Sequence, residues 1–288
     1  MSLAHQFAAY SEWRTRLSAS LGDFQRWLAA NDLADAQSDL RLAQLLERLR
    51  EDRLNVAFVA EFSRGKSELI NAIFFADYGS RILPSSAGRT TMCPTELLFD
   101  PQKAPRIELL PIQTRASNSS VSEYKRFADE WCVVPLDVES AEVMQEGLRH
   151  VSETLRVAPD EAGRLGFEVG EGSSDLYRVG EDGLVEIPRW RHAIINFPHP
   201  LLKQGLVILD TPGLNAIGAE PELTLSLLPN AHAVLFILAA DTGVTQSDLA
   251  IWKEHVGAGG AGKRGRMVVL NKIAGQWDEL KTASEINA

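Results

Sequence analysis

The chain has 288 residues, 45% of them apolar. At ~150 residues per domain it holds about two domains, or one large domain with an insertion. A charged share of 24% excludes a disordered or collagen-like chain, and two cysteines, Cys93 and Cys132, exclude a disulfide scaffold and suit reduced thiols in a cytosolic protein. Acids outnumber bases 39 to 29, a net charge of −10, so no broad basic face exists for nucleic acid, while a nucleotide can still be met by a few local groups.

Residues 3 to 29 carry Phe7, Tyr10, Leu17, Leu21, Phe24 and Leu28 at spacings of three and four, the stripe of an amphipathic helix. Asn31-Asp32 breaks it, and Leu40, Leu42, Leu45, Leu46 and Leu49 mark a second helix. The pair is either a hairpin packed on itself or half of a bundle. At Leu54 the texture changes. LNVAFVAEF reads as a buried strand and SRGKSELINAIFF as a helix, with further strands expected at Thr95 to Phe99 and Arg106 to Ile112. Residues 113 to 190 are the least regular. They predict helices at 121–131 and 139–157 and a Gly- and acid-rich stretch, and read as an inserted surface lobe outside the core sheet. Strands follow at 206–210, 233–240 and 267–272, with a helix at 246–256. The apolar run Ala233 to Ala240 suits a buried strand and is far short of a membrane span, and the N-terminus lacks the basic start and apolar run of a secretory signal. Apolar strands alternating with helices predict an α/β sheet covered on both faces, the P-loop NTPase class. The expected division is a helical segment over 1–53 and a nucleotide-binding domain over 54–288, with its insertion at about 113–190.

Four motifs carry chemistry. Ala60-Glu61-Phe62-Ser63-Arg64-Gly65-Lys66-Ser67 lies between a strand and a helix and fits G-x-x-x-x-G-K-[ST] except for Ala60. Its backbone N–H groups are placed to cradle phosphates, Lys66 to reach the β- and γ-phosphates, and Ser67 to hold Mg²⁺. Asp210-Thr211-Pro212-Gly213 ends an apolar strand. There Asp210 can bind Mg²⁺ through water and Gly213 can offer its N–H to the γ-phosphate. Asn271-Lys272 ends the last strand in the manner of the guanine-reading [NT]-K-x-D motif, but Ala274 stands where its aspartate belongs. In the loop Arg89 to Glu96, Thr91, with Thr90 as the alternative, suits a switch threonine that joins Mg²⁺ only when the γ-phosphate is present.

AEFSRGKSELINAIF, TTMCPTEL, LDTPGLNA and VVLNK, in this order, resemble the dynamin-like GTPases, the bacterial branch in particular. The resemblance covers roughly 54 to 112 and 192 to 280. It implies Mg²⁺-dependent GTP hydrolysis to GDP, self-association of GTPase domains across the nucleotide, and a membrane-remodelling role at the inner face. Leu214 follows DTPG, so the water-positioning glutamine of Ras-like proteins is absent, as in the family. Ser63 matches the polar residue of the P-loop that helps hold a monovalent cation. Arg64 beside it reads either as a finger for the transition state or as a solvated charge at a loop tip. The chain ends 16 residues after Lys272, where the family continues with a further strand, a closing helix and a stalk with a membrane-binding tip, so a truncated product is expected. Ala274 keeps two other readings open: a degenerate nucleotide-binding or scaffold module with little turnover, and a P-loop ATPase. His192, His199 and His232 have no carboxylate or cysteine at metal spacing, which favours structural roles.

Overall fold

The computed structural model describes residues 3–50, 53–61, 63–83, 93–117, 119–167, 179–211, 228, 231–257 and 265–273. The strands are β1 Leu54–Ala60, β2 Thr95–Leu98, β3 Arg106–Pro111, β4 Cys132–Pro135, β5 Thr154–Val157, β6 Val185–Pro188, β7 Trp190–Asn196, β8 Leu206–Asp210, β9 Ala233–Ala239 and β10 Gly265–Asn271. The helices are α1 Leu3–Ala30, α2 Ala36–Arg50, α3 Lys66–Phe74, α4 Val121–Tyr124, α5 Ala141–Arg149, α6 Pro159–Arg164, α7 Pro200–Lys203 and α8 Gln246–Ile251, the last continued by a π-helical turn, Trp252–Gly257.

Eight strands form one sheet in the order β10-β9-β1-β8-β2-β7-β3-β4. Its first four strands are mutually parallel. β2 then runs antiparallel to β8, β7 parallel to β2, and β3 and β4 alternate antiparallel. β1 is apolar at every position from Val56 to Ala60 because both its faces are covered. Val56 and Phe58 pack with Ile70, Phe74 and Phe75 of the α3 side. Ala57 and Val59 face the other way, onto Val234, Phe236, Ile251 and Val256. Alternate residues of one strand thus serve two cores, the pleat's period of two.

Residues 113–190 divide between two structures. β5 and β6 pair as a separate two-stranded sheet over a small core of Ile112, Ala162, Leu165, Phe167, Val185 and Ile187. β4 instead joins the edge of the main sheet, contrary to the expectation of a lobe outside it. The predicted helix 139–157 is shorter: α5 ends at Arg149, a 3₁₀ turn follows, and Leu155 and Val157 belong to β5. The apolar pattern of helix and strand runs together there, and helical spacing absorbs both. The predicted helix 121–131 is likewise reduced to α4 and a 3₁₀ turn, Ala128–Glu130.

α1 and α2 form the expected pair of helices, turned at Asn31, whose Nδ2 donates to the Trp27 carbonyl at 2.8 Å. Tyr10, Trp13, Phe24 and Trp27 remain exposed on α1. Among the described residues no helix is long and apolar enough to cross a membrane.

β7 is buried at all seven positions, although its sequence, WRHAIIN, carries an arginine and a histidine. The histidine is met from afar. His192 Nε2 faces Glu96 Oε1 of β2 at 3.0 Å, and Lys125 Nζ donates to the same oxygen at 2.6 Å. Burial raises the Glu96 pKa, but the hydrogen bonds and charges of His192 and Lys125 outweigh it and hold the group at about 2. A carboxylate whose folded pKa lies below its unfolded value contributes stability above that unfolded value and loses it as pH falls toward the folded one. The window here runs from about pH 4.5 down to about pH 2, with ~3 kcal/mol at stake. Urea unfolding across that window should show stability falling steeply for the native chain and much less for Glu96→Gln. Equal slopes would refute the pairing as the source of the acid sensitivity.

Candidate functional site

The parallel half of the sheet brings three motifs to one edge. Phe58 pairs with Asp210, Ala60 with Ile237, and Asn271 with Ala239, so β1, β8, β9 and β10 all end within a few residues of each other. Ligands in open α/β sheets bind beyond these carboxyl ends. β2, running the other way, begins there, with Thr95 opposite Asp210.

The turn from β1 into α3 has a backbone suited to anions. Ser63 and Gly65 both have positive φ, 65° and 82°, flanking Arg64. Such alternation makes successive N–H groups converge, and α3 starts at Lys66 with Gly65 as its cap, adding the positive end of the helix dipole. Gly65 is required twice over. Its φ is left-handed, and a Cβ there would lie 2.5 Å from Asn271 Nδ2. That amide donates to the Arg64 carbonyl at 2.9 Å and the Gly65 carbonyl at 3.2 Å. The end of β10 is thereby fastened to the phosphate loop.

Lys66 is buried, and its ammonium donates to Asp210 Oδ1 and to the Thr211 carbonyl. Thr211 is itself fixed, its Oγ1 donating to the Phe58 carbonyl at 2.9 Å. The spot between the start of α3 and the end of β8 therefore attracts positive charge. Ser67 in the first turn of α3 and Asp210 supply only oxygen donors, which suits Mg²⁺, an ion that takes one or two protein ligands and fills its shell with phosphate and water. Among the described residues no larger group of His, Cys, Asp and Glu could hold a metal.

Lys272, with φ 56°, reaches Asp241 Oδ2 at 3.0 Å in the connection after β9. That hydrogen bond, with help from Thr242, holds the Asp241 carboxyl below its usual range. Arg64 is not the solvated charge at a loop tip that is one of its two expected roles. Its side chain is 4% exposed and donates to Glu61 at 2.5 Å, to Asp248 at 2.9 Å, and to Thr242 and Thr245. Four acceptors collected around one guanidinium explain why it is not solvated.

Glu61, Ser63, Arg64, Gly65, Lys66, Ser67, Asp210, Asn271 and Lys272 thus gather at one edge of the sheet. Phe62, Thr91 with its alternative Thr90, Gly213 and Ala274 lie outside the described residues. The sequence reading missed Asp241 and Asp248. The second had a legible signal, since Thr245-x-x-Asp248 is a capping box. A cavity of about 230 Å³, lined by Glu96, Asp100, Lys125, Trp131 and Asn196 among others, belongs to the antiparallel half and shares no residue with this edge.

Residues 56–273 match the family model described as "Dynamin family". Over 279 residues the chain is 22% identical to a bacterial dynamin-like protein of Nostoc punctiforme, covering 93% of this chain and 32% of that one. It is 35% identical to the isoniazid-induced protein IniA of Mycobacterium tuberculosis over 101 residues, 34% of this chain and 15% of that one. It therefore spans about a third of the Nostoc relative's length and less of IniA. A solved structure described as "An oligomerised bacterial dynamin pair provides a mechanism for the long-range sensing and tethering of membranes" aligns with a TM-score of 0.44 and 17% identity over 84% of this chain and 29% of that chain. The family match takes in the phosphate loop, the end of β8 and the end of β10 together, and the chain belongs to the dynamin family.

Proposed function

We propose that this chain binds GTP and hydrolyses it to GDP and phosphate with Mg²⁺. The observation that carries the proposal is the convergence of the left-handed turn at Ser63 and Gly65, Lys66, Asp210 and Asn271 at one edge of the sheet. The backbone N–H groups of residues 61–67 and the Lys66 ammonium neutralise phosphate charge. Ser67 and Asp210, with Thr91 from the segment leading into β2, hold Mg²⁺ when it is bound, and the ion polarises the phosphate oxygens. Asn271 supports the base-side loop and the stem of Lys272 packs over the ring. Ser63, exposed at the tip of the turn, is the polar residue that faces a monovalent cation or a second GTPase domain. In this proposal GTPase domains pair, and the protein works on membranes. An inner-face, cytoplasmic setting follows from that role.

One observation favours a second reading. Ala274 removes the acceptor that tells guanine N1–H and its amine from adenine, which suits a nucleotide module of low base selectivity and weak turnover.

Calorimetric titration with GTP, GDP and ATP, each with Mg²⁺, separates the two. We expect guanine nucleotides to bind at least ~10-fold more tightly than ATP, and Lys66→Ala to abolish the difference by losing the phosphate contact. Ala274→Asp should raise guanine affinity a further ~10-fold or more. Equal binding of ATP in the native chain would establish the second reading, and no binding at all would remove both.

Gly65→Ala provides an independent check on the loop. The methyl group it adds meets a left-handed φ and the Asn271 amide together, so it should cost ~1–3 kcal/mol and lower the midpoint of thermal unfolding by several degrees. Nucleotide binding should be lost with it. A variant of native stability would show that the loop does not need this turn.

A further inference from the structure

We infer that Arg64 is a positioning residue, which clamps the phosphate loop to the start of α8 and so sets how tightly the loop holds a nucleotide's phosphates. The inference rests on the guanine-nucleotide reading for its ligand, and on buried geometry for its mechanism.

Arg64 is gripped at both ends. Its carbonyl accepts the Asn271 amide at 2.9 Å, and its guanidinium is buried against residues 242–248. The neighbours Ser63 and Gly65 take their left-handed conformations around this pinned residue. Beyond it the guanidinium meets two carboxylates. Asp248 Oδ2 lies 2.9 Å and Glu61 Oε2 2.5 Å from Nη2. Thr245 Oγ1 donates within reach of both, 2.8 Å from Asp248 and 3.1 Å from Glu61, and Ser247 Oγ donates to the other Glu61 oxygen at 2.5 Å. The same Asp248 oxygen accepts the Thr245 amide at 2.9 Å as part of the α8 capping box. One carboxylate therefore both starts the helix and holds the arginine.

Two carboxylates against one guanidinium leave the cluster with a net negative charge even when Arg64 is in place. Swinging the guanidinium toward a phosphate would leave the buried Asp248 and the partly buried Glu61 without their counter-charge, which is unfavourable. This separates Arg64 from a residue that touches the transferred phosphoryl group. Arg64 Nε and Asp248 Oδ1 are buried without a partner among the described residues.

The test measures binding of fluorescent N-methylanthraniloyl GDP and GTP to the native chain, Arg64→Met and Arg64→Met with Asp248→Asn. The single substitution keeps an unbranched side chain but leaves two unbalanced acids. The pair restores the native net charge, and Asp248→Asn retains a side-chain oxygen that accepts from the Thr245 amide. Arg64→Met should weaken both nucleotides together by ~10-fold or more, through misplacement of the loop amides. The charge-balanced pair should stay weak, because it restores the charge but none of the contacts that hold the loop, and full recovery would make charge balance the cause and overturn the inference. If Arg64→Met keeps its GDP affinity and loses turnover alone, with Asp248→Asn restoring nothing, the side chain acts at the γ-phosphate and the inference is overturned. It also fails if neither variant differs from the native chain. A native chain that binds neither nucleotide defeats the guanine-nucleotide reading alone. Amide hydrogen exchange over residues 60–70 then decides the clamp: faster exchange in Arg64→Met and in the pair supports it, and unchanged exchange or reversal in the pair rejects it.

Discussion

The approach of Asn271 to the phosphate loop is the constraint on which the candidate site depends. A side-chain amide from the last described strand sits where a Cβ on Gly65 would be, and bonds the two carbonyls of Arg64 and Gly65. The contact needs the parallel register of β1, β9 and β10, because a slip of one residue would turn Asn271 to the other face. It also needs glycine at 65, since no other residue tolerates both the φ and the distance. Each hydrogen bond contributes on the order of 1 kcal/mol net. Their greater effect is geometric: they fix where the end of β10, and with it Lys272, lies relative to the first turn of α3.

Charge is arranged by the same rule. Three cations of the site each bond a carboxylate from a different part of the chain: Lys66 with Asp210, Arg64 with Asp248, and Lys272 with Asp241. The first two pairs are buried, and a buried ion pair gains little over an apolar replacement once desolvation is counted. The third is half-exposed and screened, so it adds little stability either. What the three pairs have in common is placement. Each joins a residue of the phosphate loop or the β10 end to the end of β8 or the segment that follows β9. Mutual position across four strand ends is what these residues specify.

The parts of this arrangement legible in sequence were those with local context. A strand, then Gly65-Lys66-Ser67, then a helix is a pattern read within some fifteen residues, and Asp210 and Asn271 each close an apolar run. Where local context misled, the cause was a partner far away. His192 showed no carboxylate at close spacing because Glu96, which it faces at 3.0 Å, lies 96 positions away on β2. Arg64 invited a solvated assignment because all its acceptors but Glu61 lie 178 to 184 positions on. The shortened α5 had a different cause: Leu155 and Val157 extend a helical stripe that the backbone leaves at His150.

The pairing of Lys66 also says how phosphate binding is transmitted. Its ammonium bonds Asp210 and the carbonyl of Thr211, the residue that opens the segment after β8. A phosphate that takes this ammonium takes it from both. In the proposed function Asp210 is then left with an oxygen beside the incoming charge, which a bound cation would offset. The Thr211 carbonyl loses its donor at the same moment, while its side chain stays anchored to β1 through the Phe58 carbonyl. The end of β8 thus keeps its hold on β1 through Thr211. The phosphate loop is held from opposite sides by Asn271 and Arg64.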